Sequence, residues 1–177
     1  MAHIQLPPEV PGIIGLLNSF PETAKPLNEL AQVLLRGEST LTEGERELIA
    51  GFVSSKNDCY FCSNSHLSAS NYFLNNDLFY DNGNISGMEK INLSPKMESL
   101  LHISSKVQQG GKNVSIKDIE RAKENGASDK EIHDTVLIAA AFCMYNRYVD
   151  GLATYQPTEK KVYDEIGERI GKNGYRV

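Results

Sequence analysis

TEGERELIAGFVSSKNDCYFCSNSHLSASNYFL, residues 42–74, is the stretch on which the reading of the chain turns. Thr42 followed three residues later by Glu45 is a capping box, in which each side chain satisfies the other's free backbone amide. The helix it opens carries Leu48, Ile49, Phe52 and Val53 on one face and runs to about Lys56. Asn57 and Asp58 interrupt it and are expected to cap a second helix, from about Cys59 to Leu74. So short a connection implies two antiparallel neighbours.

Outward from this hairpin the periodicity stays helical. Ala24, Leu27, Leu30, Ala31, Leu34 and Leu35 recur at three- and four-residue steps within Pro21–Leu35, and Gly37 stops them. Asn75–Leu93 is polar, contains Gly83 and Gly87, and reads as a long loop with at most a short helical piece. Ser94-Pro95 starts a helix through Met97, Leu100, Leu101 and Val107 that ends at Gly110-Gly111. A short helix from Ser115 to about Glu124 closes at Asn125-Gly126. Ser128 with Glu131 is a second capping box, opening an apolar segment through Ile132, Val136, Ala139, Ala140, Cys143 and Met144 to near Gly151. After Pro157, Val162, Ile166 and Ile170 mark a last amphipathic helix, and the charged segment from Lys160-Lys161 to Arg176 reads as a solvated helix and tail. No long run alternates polar with β-branched residues. The expectation is an all-α, compact bundle of about seven or eight helices. Leu41-Thr42 with Leu48-Ile49 is echoed by Leu93-Ser94 with Leu100-Leu101, and Ser-Ser-Lys follows each, as in a duplicated helical hairpin.

The composition sets the class. The 177 residues are 40% hydrophobic and 23% charged, with 18 basic against 23 acidic side chains and a net charge of −5. This is the balance of an ordinary folded domain, read as one unit over 1–177, and it gives no reason to expect nucleic acid or an anionic membrane as partner. MAHIQLPPEVPG does not read as a secretory signal, and the longest apolar run, Val136–Tyr145, falls short of the ~18 residues a spanning helix needs. A cytoplasmic location is the expectation. Three cysteines are too few for a disulfide scaffold, so the Cys59/Cys62 pair is expected to be catalytic or metal-binding.

With a helix starting near Cys59, the side chains of Cys59, Cys62 and His66 stack on one face. At a helix N-terminus the unpaired amides and the helix dipole favour a thiolate, so a lowered pKa is expected at one or both cysteines. The spacing also lets one sulfur resolve a sulfenic acid or mixed disulfide on the other. His66 can take the departing proton, and Glu47, on the preceding helix, can return to orient the imidazole. Gly44 and Ala50 beside Glu47 leave room for close helix approach.

Glu47, Cys59-Tyr60-Phe61-Cys62 and His66 together resemble the signature of the alkylhydroperoxidase AhpD-like proteins, within the carboxymuconolactone decarboxylase superfamily. Leu93-Ser94-Pro95-Lys96, Gly126-Ala127-Ser128-Asp129-Lys130-Glu131-Ile132 and Asn146-Arg147 resemble its peroxidase-related branch, and the likeness covers about residues 10–155. The resemblance implies an all-helical subunit that forms trimers or hexamers. It implies Cys62 as the peroxidatic thiol, Cys59 as the resolving thiol, Glu47 and His66 as the proton relay, and no cofactor or metal. It further implies a hydroperoxide substrate and an external dithiol reductant, dihydrolipoyl or thioredoxin-like. Phe61 departs from the pattern, because the best-known peroxidases of the family carry histidine immediately before the second cysteine.

Other readings remain open. The pair could serve as a thiol–disulfide exchanger or redox sensor, or as packed core cysteines in a non-catalytic helical oligomer. A zinc site would need a fourth ligand from His102, His133 or Cys143. Cys143 alone reads as a buried inert thiol, Asn146-Arg147 as a packing or interface feature with a structural ion pair favoured over substrate binding, and no role is assigned to His102 or His133.

Overall fold

The computed structural model describes residues 2–175. Eight α-helices lie among them: α1 Gly12–Ser19, α2 Pro21–Arg36, α3 Glu43–Lys56, α4 Tyr60–Leu74, α5 Pro95–Gln109, α6 Ile116–Glu124, α7 Asp129–Gly151 and α8 Lys160–Asn173. The all-α expectation holds. Both predicted capping boxes form, at Thr42/Glu45 and Ser128/Glu131, and Ser94 caps α5. Such caps contribute about 1 kcal/mol each. Leu48, Ile49 and Val53 of α3 pack with Leu100 and Ile103 of α5 and Ile138 of α7 in the main core.

The corner between α3 and α4 differs from expectation in a way that matters. Asn57 and Asp58 do not cap α4; they close α3. Asp58 is left-handed (φ 58°), the Cys59 N–H donates to Ser54 O at 3.0 Å, and the Asp58 N–H donates to Ser55 O at 3.1 Å. These two bonds form a Schellman motif. Cys59 itself is the N-cap of α4, so the chain leaves one helix and starts the next within three residues.

Residues 75–93 are not all loop. β1 (Phe79–Asp81) and β2 (Asn84–Ser86) pair antiparallel, with Asp81 opposite Asn84, and a 3-10 turn follows at Met88–Lys90. Asn82 and Gly83 both have positive φ (47° and 80°), as a tight hairpin turn of this hand requires. Three-residue strands are too short to show alternation, and the Asn-Gly pair was the signal that could have found them.

The charged C-terminal stretch is also not a solvated appendage. α8 docks on α4 and buries Tyr163, Ile166, Gly167 and Ile170. Its glycines make the approach close: a Cβ at Gly167 would lie 2.5 Å from the Ser68 carbonyl carbon, and one at Gly171 would lie 2.2 Å from the Tyr72 ring. Arg176 lies outside the described residues. No described helix is long and apolar enough to cross a membrane.

Candidate active site

Glu47 is fully buried on α3, facing α4. Gly44, one turn earlier, admits α4 here, since a Cβ at Gly44 would lie 2.6 Å from the Leu74 side chain. The carboxylate is surrounded by donors. Oε2 accepts from His66 Nδ1 at 2.7 Å; Oε1 accepts from Arg36 Nη2 at 2.7 Å and from the Tyr175 hydroxyl at 2.7 Å. Burial pushes the Glu47 carboxyl up, but His66, then Arg36, then the Tyr175 hydroxyl outweigh it and hold the group below the ordinary carboxylate range. An ionised carboxylate only accepts, so the proton between the two groups sits on Nδ1, and Nε2 is the ring nitrogen left uncommitted.

Tyr175 and Arg36 fix this arrangement from outside the hairpin. The Tyr175 N–H donates to Gln32 Oε1 at 2.8 Å, and its ring stacks on the His66 imidazole at 17° with centroids 6.1 Å apart. Burial, followed by the Glu47 charge, pushes the Tyr175 hydroxyl well above its ordinary value, so it remains a donor. Arg36 also donates to Leu35 O and Ile170 O, and its guanidinium lies 5.0 Å from the Phe73 ring centroid and 5.3 Å from that of Tyr175. Phe142 packs against His66 in a T-shaped contact, with centroids 4.5 Å apart.

Both cysteines of the pair are free and buried, but they are not equivalent. Cys62 lines a cavity of about 250 Å³, together with His66, Ser65, Tyr145 and Tyr175. Its other walls are apolar, among them Ile14, Leu17, Leu27, Phe61 and Ile166, and the exposed Asn18 and Arg169 lie at its open side. Cys59 lies behind Cys62 and does not line the cavity. Its thiol is pushed well up, first by its hydrogen bond with Cys62, then by burial, then by negative charge at Cys62 and Asp150. The lowered pKa expected from the helix dipole is therefore not found at Cys59: burial and acidic neighbours outweigh the dipole there.

Two crystal structures are similar to this chain over most of its length. One is an alkylhydroperoxidase AhpD core, described as an uncharacterized peroxidase-related protein, from Ralstonia eutropha JMP134. It is 23% identical, with a TM-score of 0.76, covering 89% of this chain and 81% of that one. The chain has the AhpD-core fold. The second is an uncharacterized peroxidase-related protein from Silicibacter sp. TM1040, 21% identical, with a TM-score of 0.70, covering 92% of this chain and 80% of that one. No family profile and no curated protein matches the chain.

On this AhpD-core fold all four residues predicted from sequence meet. Glu47 contacts His66, Cys59 contacts Cys62, and His66 and Cys62 share one cavity. Arg36 and Tyr175 were missed. The sequence pattern marked α2 and the tail as helix and solvent face, and nothing in either spacing announces a buried contact to Glu47. Phe61, where histidine was the family expectation, is packed in an apolar slot. Its ring lies 6.0 Å from that of Tyr163 and presses on Gly12 (φ 52°), where a Cβ would fall 2.1 Å from the ring.

The remaining candidates lie apart. His102 pairs with Asp118 at 3.0 Å, His133 pairs with Asp134 at 3.1 Å, and Cys143 is half-buried beside the Asn57 amide at 3.5 Å. Among the described residues no three His, Cys, Asp or Glu side chains converge as a metal site. Asn146 accepts from Asn57 at 2.8 Å and donates to Ser54 at 3.0 Å, which ties α7 to the end of α3. Arg147 is exposed and donates to Cys143 O at 2.7 Å, a bond within its own helix rather than an ion pair.

Proposed function

We propose that the chain is a thiol-dependent peroxidase that reduces organic hydroperoxides through a Cys62–Cys59 redox cycle. The observation that carries this reading is the shared cavity. Cys62 and His66 both line it, and the His66 Nδ1–H is committed to Glu47, which leaves the Nε2 lone pair to take the thiol proton. A water-sized molecule fills ~30 Å³, so the largely apolar cavity holds a peroxide of several carbons as well as the smallest ones.

In the cycle, the Cys62 sulfur attacks the distal oxygen of the hydroperoxide. An S–O bond forms, the O–O bond breaks, and the leaving alkoxide takes the proton from the His66 imidazolium as the alcohol. Cys59, which stays protonated beside Cys62, then attacks the Cys62 sulfenic acid. The S–S bond forms as the S–O bond breaks, and the Cys59 proton leaves with the hydroxyl as water. An external dithiol, a dihydrolipoyl group or a thioredoxin-like protein, supplies the two electrons that restore the pair. We place this cycle in the cytoplasm, where such reductants are abundant. A trimer or hexamer of copies would cover the exposed Leu137 and Met144 on the outer face of α7.

The test is dithiol-dependent consumption of cumene hydroperoxide. Wild-type protein should consume it catalytically and Cys62→Ser should not. Full activity in the variant overturns the mechanism. Disulfide formation in wild-type protein that proceeds equally fast with and without peroxide would favour simple thiol–disulfide exchange, a reading that Phe61 in place of a second histidine keeps alive.

A further inference from the structure

Three hydroxyls line the cavity beside Cys62, and two of them are spoken for. Tyr175 donates to Glu47 at 2.7 Å, and Tyr145 donates to Leu27 O at 2.9 Å. The third, Ser65, is 3% exposed, and its Oγ has no hydrogen-bond partner among the described residues. Serines in helices commonly bond back to the carbonyl one turn earlier, as Ser63 does to Cys59 at 2.7 Å and Ser99 does to Pro95 at 3.0 Å. Ser65 does not. A buried hydroxyl left unpaired costs about 1–3 kcal/mol, so it calls for a partner from the cavity itself.

We infer that Ser65 is a further catalytic residue, whose hydroxyl binds the peroxide oxygens at Cys62. The register supports this. Ser65 follows Cys62 by three positions and precedes His66 by one, so its side chain reaches the same cavity wall as the nucleophile and the proton carrier. As the Cys62 sulfur bonds to the distal oxygen and the O–O bond breaks, negative charge gathers on the leaving oxygen. The Ser65 O–H donates to that oxygen while the His66 imidazolium delivers the proton that completes the alcohol. Ser65 keeps its own proton throughout and acts as a fixed dipole aimed at developing charge. The titratable and charged groups around this point are Cys62, His66, Glu47, Arg36, Tyr145, Arg169 and Tyr175, and none of those that line the cavity supplies a second unpaired hydroxyl.

This inference rests on the peroxidase reading, and Ser65→Ala separates the two. The variant should lose roughly 10- to 100-fold in kcat/KM for cumene hydroperoxide, the worth of one hydrogen bond to a developing charge. Its thermal stability should be equal to or above that of wild type, because an unpaired buried hydroxyl is removed. The rate of Cys62 alkylation by iodoacetamide should not change, because Ser65 acts on the peroxide and not on the thiol. Ser65→Thr, which keeps the hydroxyl, should recover much of the loss. Ser65→Ala with wild-type peroxidase activity overturns the inference and leaves the peroxidase reading standing. So does a loss of activity matched by an equal fall in alkylation rate or by a lower melting temperature, since either would mark a structural role. Wild-type protein that consumes no hydroperoxide overturns both.

Discussion

Glu47 Oε2 and His66 Nδ1 are 2.7 Å apart in a site where the carboxylate has no contact with solvent. A lone carboxylate so placed would take up a proton, and the imidazole would lose its orienter. Here Arg36 and Tyr175 occupy the other oxygen, so the charge persists and the ring is held with one nitrogen committed and one available. The orientation of the imidazole is thus set by Arg36, which does not line the cavity, together with Tyr175, which does.

This pairing predicts an acid-sensitive fold. The folded-state pKa of Glu47 lies below its unfolded value of about 4.3, so the carboxylate contributes its stability in full above that pH. The contribution is lost as pH falls through the folded value. Glu47→Gln should lower stability at neutral pH by about 3 kcal/mol, because the buried Arg36 loses its nearest counter-ion and keeps only Glu43 at 3.9 Å among the described residues. It should also flatten the acid limb. Melting temperatures measured from neutral pH down through the carboxylate range should converge between the two proteins, and parallel curves would refute the assignment.

The unequal cysteines predict unequal variants. Cys59→Ser leaves the cavity, Cys62 and the relay in place, so a single turnover should proceed and then stop at a sulfenic acid on Cys62. Mass spectrometry after dimedone trapping should find one adduct per chain, on Cys62. An adduct on Cys59 in the Cys62→Ser protein at a comparable rate would reverse the order of attack.

The contact between α8 and α4 predicts that a methyl group remote from the chemistry reaches the site. Gly167→Ala would place a Cβ on the Ser68 backbone and force the helices apart, at a cost of about 1–3 kcal/mol. Because Tyr175 follows α8, its hydroxyl should retreat from Glu47. The expected result is a lower melting temperature together with reduced hydroperoxide turnover. Unchanged turnover at reduced stability would uncouple α8 from the relay.

What could be read in the sequence divides by the range of the contact. The Glu47, Cys59, Cys62 and His66 group was legible because all four lie on one helical hairpin, where three- and four-residue steps decide which side chains meet. The capping boxes were legible for the same local reason. Arg36 was not, because its charge reads like any basic residue in a last helical turn. Tyr175 was not, because it reaches Glu47 across a separation of 128 residues. The docking of α8 left a trace only in Gly167 and Gly171, which periodicity reads as weak helix formers and the folded chain uses as clearance. The raised thiol of Cys59 comes first from its hydrogen bond with Cys62, then from burial, with Asp150 at the far end of α7 adding to them, and so could not follow from a helix dipole alone.

That same long separation bears on the order of events during folding. Glu47 and His66 are 19 positions apart and share one hairpin, so they can meet early; the bond from Tyr175 closes a far larger loop at a greater entropic cost. A partly folded chain therefore carries the Cys59 and Cys62 thiols before the Glu47–His66 pair beside them has been secured. On the proposed mechanism, the nucleophile comes under full control only when the chain from α8 onward has docked, so complete folding and readiness to react are reached in the same step.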